Sequence, residues 1–196
     1  MNKDGMLLVI SGPTGAEKDR IIEVLLDRNK EIYRPISCTT RPVKEDDVEE
    51  KEYNYITKKE FFKMVDQGAF LEWAEIYGNY YGTPKHPVKK AIKEGKKVLL
   101  EIDIKGALQI KENDQESILI FILPNSVDEL KRNILNSKKD TTENLLRKFN
   151  SAYNAIESIS TYNYGIINED LNAAVIKIEN IISAEECRVE RLDTIL

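Results

Sequence analysis

Phosphate-handling chemistry is written near the start of the chain, in Ser11-Gly12-Pro13-Thr14-Gly15-Ala16-Glu17-Lys18-Asp19. Gly12 and Lys18 keep the register of the pattern G-x-x-x-x-G-K-[ST], whose backbone N–H groups and following helix N-terminus bind polyphosphate. Two positions break it. Glu17 stands where a second glycine is expected, and Asp19 where a hydroxyl residue is expected. A carboxylate about 4–5 Å from a phosphate oxygen costs roughly 3–4 kcal/mol at an effective dielectric near 20. The residues therefore predict a loop in which the Glu17 carboxylate fills the anion site made by the loop amides and Lys18. Two readings stand for Asp19: an oxygen ligand for Mg²⁺, or an acid favoured by the helix dipole. Two also stand for Lys18, which reaches β/γ phosphates or pairs with its acidic neighbours.

The elements that position such a loop alternate. Strands are predicted at 6–11, 34–39, 97–103, 117–123 and 164–168, each a short apolar run bounded by polar or turn residues. Helices are predicted at 18–29, 84–94, 104–113, 126–136, 141–160 and 170–192. The order implies an α/β fold with a parallel sheet covered by helices on both faces. The stretch 52–83 is aromatic and polar, with a short helix at 58–66, and reads as a small antiparallel insertion. The charge run 44–52 and the polar run 136–144 read as solvated connections.

Composition sets the bounds. The chain has 196 residues, 41% hydrophobic and 32% charged, which suits one globular domain. Its net charge of −5, from 34 acids against 29 bases, argues against a nucleic-acid surface. No apolar run is long enough to span a membrane. The N-terminus carries no secretion signal, so a cytoplasmic location is expected, with Cys38 and Cys187 as free thiols. The single histidine, His86, excludes a histidine triad or multi-histidine metal site and is expected to be exposed. Oligomeric state is not legible.

Further motifs carry a resemblance. SCTTRP (37–42), FLEWAEIYGNYYGTP (70–84), LLEIDIKGA (99–107), FILP (121–124) and INEDL (167–171) together resemble the guanylate kinase family of nucleoside monophosphate kinases across nearly the whole chain. The resemblance implies a P-loop, three-layer α/β fold: a core over 1–33, 84–129 and 150–196, a small mixed β GMP-binding insertion over 34–83, and a helical lid over 130–149. It also implies transfer of the γ-phosphoryl group of ATP to GMP, with Mg²⁺ accompanying ATP.

On the acceptor side the resemblance places Glu72 against the guanine N1–H and N2 donors. One carboxylate accepts both, whereas adenine presents an acceptor at N1 and is repelled. Ser37, Thr83 and Asp103 match further guanine-contacting positions, and Arg41, Tyr53 and Tyr81 match phosphate-contacting ones. The plainer readings are a solvated strand residue for Glu72, backbone-bonded hydroxyls for Ser37 and Thr83, and aromatic packing for the tyrosines. Lys44 replaces a family arginine, keeping charge but losing the fork. Cys38 reads as a small apolar filler.

On the donor side the resemblance assigns ATP to Gly12, Pro13, Thr14, Gly15, Ala16, Glu17, Lys18, Asp19 and Asn168, and the metal to Asp19 and Glu101, where the family usually has Asp for the latter. Catalytic roles fall on Lys18, Arg41 and Lys148. The lid is short of arginines: Asn133 and Ser137 stand at two such places, a third falls on Lys148 beside Arg147, and Lys138 and Lys139 offer charge without a fork. The combination predicts a GMP-binding protein whose ATP-dependent turnover is impaired. The rival reading is a non-catalytic module binding GMP or a phosphopeptide, as in membrane-associated scaffold proteins.

Overall fold

The structure, a computed structural model, describes residues 5–43, 53–135, 145–146, 149–150, 152 and 156–191. The chain runs β1 (Met6–Ser11), α1 (Lys18–Arg28), β2 (Ile32–Tyr33), β3 (Ser37–Thr39), β4 (Tyr53–Tyr55) and α2 (Lys58–Asp66). It continues through β5 (Phe70–Ile76), β6 (Asn79–Pro84), α3 (Lys85–Lys93), β7 (Lys97–Glu101), α4 (Ile104–Asn113) and β8 (Ile118–Pro124). α5 (Val127–Leu135), β9 (Tyr164–Asn168) and α6 (Leu171–Glu186) complete it.

β1 is an unbroken apolar run because it lies mid-sheet and is buried on both faces. Met6, Leu8 and Ile10 pack on one side with Ile21, Ile22 and Leu25 of α1 and Val175, Ile178 and Ile182 of α6. Leu7 and Val9 pack on the other with Val88 and Ala91 of α3 and Ala107 and Ile110 of α4. The five-stranded sheet has the order β2-β7-β1-β8-β9 with every neighbouring pair parallel. β1 and β7 therefore deliver Ser11 and Glu101 to the same edge, the carboxyl ends where ligands bind in such sheets.

A second sheet, ordered β4-β3-β6-β5, carries the acceptor motifs. Several predicted elements need correction here. The strand placed at 34–39 is divided: Ile32–Tyr33 pairs with β7 in the core, and Ser37–Thr39 pairs in the second sheet. Pro35 has no N–H and cannot continue a ladder, so the chain changes sheets there. The second sheet is mixed, as the resemblance implies, and not wholly antiparallel as the composition of 52–83 suggests, since β3 and β4 run parallel. The helix placed at 170–192 stops at Glu186. Of the one placed at 141–160, the described residues up to 157 are helical, and Ser158–Thr161 is a 3₁₀ turn.

Gln109 ties the two sheets together. Its side-chain amide donates to the Trp73 carbonyl at 2.8 Å and accepts the Trp73 N–H at 3.2 Å, so α4 of the core satisfies the outer edge of β5. Behind β5, Phe61 of α2 stacks on Phe70 at 4.6 Å. Cys38 is buried in that same cluster, the apolar filler its neighbours predict.

Candidate functional site

The loop between β1 and α1 is shaped by three left-handed or glycine-only turns. Gly12 has φ 154°, and a Cβ there would lie 2.4 Å from the Ile122 carbonyl oxygen, so no other residue fits. Gly15 follows with φ 93°, and Glu17 caps α1 with φ 57° and ψ 35°. A glycine conformation has been kept at 17 while its residue type has changed. That backbone turns the carboxylate outward: Glu17 Oε1 accepts from Arg20 at 3.0 Å, and the side chain is 37% exposed. The predicted self-filled loop is therefore wrong. The Glu17 carboxylate lies on the surface with Arg20, not among the loop amides.

Lys18 bends back under the loop. Its Nζ donates to the Gly12 and Pro13 carbonyls, both at 3.1 Å. Burial pushes its pKa down, and the charges of Glu101 and Asp19 push it back up. The loop is braced from outside by two asparagines. Asn168 Nδ2 donates to the Ala16 carbonyl at 3.2 Å, and Asn133 Nδ2 donates to the Gly15 carbonyl at 2.9 Å. Asn133, expected at a lid arginine position, is thus a loop brace reaching across from α5.

Asp19, in the first turn of α1, stands near the Glu101 carboxyl at the end of β7. Burial, first, and then Asp19 raise the Glu101 pKa to about 8, against the opposing charges of Arg34 and Lys18. Arg34 reaches Glu101 Oε2 at 3.1 Å from the β2–β3 connection. Two neighbouring carboxyls offer oxygen-only donor chemistry, which suits Mg²⁺ completed by phosphate oxygens. These residues fit that ion.

The candidate acceptor pocket is assembled from β3, β5, β6 and α4. Glu72 is 4% exposed, and its Oε1 accepts the Thr83 N–H at 3.1 Å and the Thr83 hydroxyl at 2.6 Å. Ser37 Oγ lies 3.3 Å from Thr83 Oγ1. Burial raises the Glu72 pKa to about 7, opposed by the Thr83 hydroxyl and supported by the nearby Asp103 charge. Glu72 Oε2 faces Gly106, where a Cβ would approach within 2.5 Å. Asp103 is held as the cap of α4 by the Gly106 N–H at 2.8 Å. Glu72, Thr83, Ser37 and Asp103 therefore stand together around one buried carboxyl.

Arg41, Tyr53 and Tyr81 form the pocket's outer wall. Tyr53 and Tyr81 meet edge-to-face at 5.8 Å, so the packing read from their type is realised. The Arg41 guanidinium lies 5.6 Å from the Tyr53 ring and 5.5 Å from the Tyr55 ring, and donates to the Tyr55 hydroxyl at 3.2 Å. Thr39 Oγ1 accepts the Arg41 N–H at 3.1 Å and donates to the Tyr80 carbonyl at 3.0 Å, fixing the start of that segment to β6. Lys44, Ser137, Lys138, Lys139, Arg147 and Lys148 lie outside the described residues. His86 is exposed at the start of α3.

Sequence reading missed three residues that shape the site. Gln109 and Arg34 act across long separations, and local pattern gives no sign of them. Gly106 was detectable, because a glycine inside a helix is unfavourable and needs a reason.

The guanylate kinase family profile matches residues 4–185. A guanylate kinase of Clostridium perfringens (strain SM101 / Type A) is 48% identical over 191 residues, covering 97% of this chain and 88% of its own. Among solved structures, the guanylate kinase of Anaplasma phagocytophilum superposes with a TM-score of 0.80 at 29% identity, covering 97% of this chain and 91% of that one. The SH3-kinase fragment of tight junction protein 3 is 14% identical with a TM-score of 0.50, covering 93% of this chain and 58% of that one, a likeness of fold alone.

Proposed function

Because the chain belongs to the guanylate kinase family, we propose that it binds GMP and phosphorylates it from ATP, with a weakened donor side. The observation that carries the acceptor half is the buried Glu72 carboxyl, oriented by Thr83 and flanked by Ser37 and Asp103. Guanine offers two adjacent N–H donors to such a carboxyl. Adenine would leave it unpaired, which is costly in a buried site. Arg41, Lys44, Tyr53 and Tyr81 serve the GMP phosphate. A retained guanine-reading carboxylate favours this over the phosphopeptide-binding module.

In the reaction a GMP phosphate oxygen attacks the γ-phosphorus of ATP, and the bond from that phosphorus to the β–γ bridging oxygen breaks, releasing ADP. Catalysis of this kind is positioning plus charge stabilisation. The loop from Gly12 to Asp19 holds the donor phosphates, and Lys18 exchanges its contacts to the Gly12 and Pro13 carbonyls for them. Asn168 braces the loop near the adenine side. Asp19 and Glu101 would hold Mg²⁺, which when bound neutralises the donor phosphates. Lys148 supplies lid charge.

The weakening has a different balance from the one the sequence predicts. Glu17 spends its charge on Arg20 at the surface, so its cost to ATP is smaller than a carboxylate among the amides would impose. The larger deficit lies at the lid positions 133 and 137, where Asn and Ser stand. The test is steady-state turnover of ATP and GMP by the wild type and by Ser137→Arg. Turnover that rises at least threefold in the variant supports the reading. A wild type that equals or exceeds the variant removes the impairment, and no GDP formation from either supports the binding module.

A further inference from the structure

A cleft opens between the two sheets, lined by Arg34, Ser37, Tyr53, Thr83, Glu101 and Ile102 with their neighbours. Three of these are acceptor-site candidates, and Glu101 belongs to the donor side. Among the described residues, Arg34 is the one basic residue of that lining. Its guanidinium stands at 3.1 Å from Glu101 Oε2, and its side chain is 48% exposed. Resting on the GMP-binding reading, we propose that Arg34 is a phosphate-binding residue of the acceptor pocket, exchanging Glu101 for the GMP phosphate oxygens.

Three physical points support it. A guanidinium presents a planar fork that grips two phosphate oxygens at once, which Lys44 cannot do. Arg34 and Arg41 flank Tyr53 from different elements, the first by sharing its cleft and the second over its ring. The Arg34 end of the pair is half exposed while Glu101 is mostly buried, so the guanidinium is the partner with room to move, and a phosphate of higher charge competes with the carboxyl for it. The position also follows from the fold. Pro35 moves the chain from the core sheet to the acceptor sheet, and Arg34, immediately before it, is left at the seam between them.

The experiment compares GMP with guanosine, which differ by the phosphate alone. Calorimetry with GMP and ligand-observed NMR with guanosine, without ATP or Mg²⁺, are run on wild type, Arg34→Gln, Arg34→Lys and Arg34→Gln with Glu101→Gln. The proposal expects Arg34→Gln to weaken GMP at least tenfold while guanosine changes less than twofold, with Arg34→Lys in between. Removing Glu101 as well should not restore GMP affinity. Unchanged GMP affinity in Arg34→Gln overturns the proposal, and so does an equal loss for guanosine. Recovery in the double variant also overturns it, since Arg34 would then merely neutralise Glu101. A wild type that does not bind GMP at all overturns the acceptor reading itself, and the two failures are thereby distinct.

Discussion

Thr83 gives both of its donors to one oxygen of Glu72, its N–H at 3.1 Å and its hydroxyl at 2.6 Å. The contact sets the plane of a carboxyl that β5 alone would leave free to rotate, and it leaves the second oxygen against Gly106. The orientation precedes any ligand. A pre-oriented acceptor loses little freedom on binding, which is how a small pocket gains selectivity.

The first prediction concerns pH. The Glu72 carboxyl has a folded-state pKa of about 7 against an ordinary 4.5. Between those values the folded protein holds a proton that the unfolded chain has released, so this group's contribution to stability falls as pH rises through that window. GMP binding moves the other way, because two N–H donors need the ionised form. Affinity should rise about tenfold from pH 6 to pH 8, since about a tenth of the groups are ionised one unit below the midpoint. Guanosine, free of a titrating phosphate, isolates the carboxyl and should show that tenfold rise, and Glu72→Gln should flatten it while weakening GMP more than tenfold. Calorimetry across that range checks both. A flat profile in the wild type would contradict the role given to Glu72.

The second prediction concerns Gly106. An added methyl would lie 2.5 Å from Glu72 Oε2 and 3.3 Å from Asp103 Oδ1. Neither can withdraw cheaply, as Glu72 is held by Thr83 and Asp103 caps α4. Gly106→Ala should weaken GMP at least tenfold and narrow the preference for GMP over AMP. Alanine is favoured over glycine in a helix by about 1 kcal/mol, which offsets part of the strain. Lost affinity with a melting temperature within a few degrees of wild type is the expected pair of results. Unaltered GMP binding would show that the carboxyl has room to move.

The third concerns Glu17. Its φ of 57° is a conformation in which a side chain costs roughly 1–2 kcal/mol relative to glycine. Its ion pair with Arg20 is exposed and returns little. Glu17→Gly should therefore raise the melting temperature, with ATP affinity rising less than threefold. A large gain in ATP affinity without a gain in stability would mean that the carboxylate does enter the anion site.

These cases show what was legible in the chain. The apolar run Leu7–Ile10 predicts a fully buried strand because composition alone says both faces are covered. α2 is equally plain, with Thr57 and Glu60 forming a reciprocal cap at its start. The acceptor residues were found through motifs, and the structure sets Ser37, Glu72, Thr83 and Asp103 together. The direction of the Glu17 carboxylate was not legible: it depends on a left-handed backbone that residue type argues against. Asn133 could be read as a missing arginine but not as a brace, because its partner Gly15 is 118 positions away. Pro35 did announce the break between β2 and β3, and a strand drawn from 34 to 39 ran through it.

The most direct test of the account is a pair of titrations with GMP and AMP, without ATP or Mg²⁺, on the wild type and Glu72→Gln. The nucleotides differ at the base edge that Glu72 is proposed to read. The account predicts at least tenfold tighter binding of GMP by the wild type, with most of that preference lost in Glu72→Gln. Equal affinity of the wild type for the two nucleotides, or a preference that survives in Glu72→Gln, would contradict it.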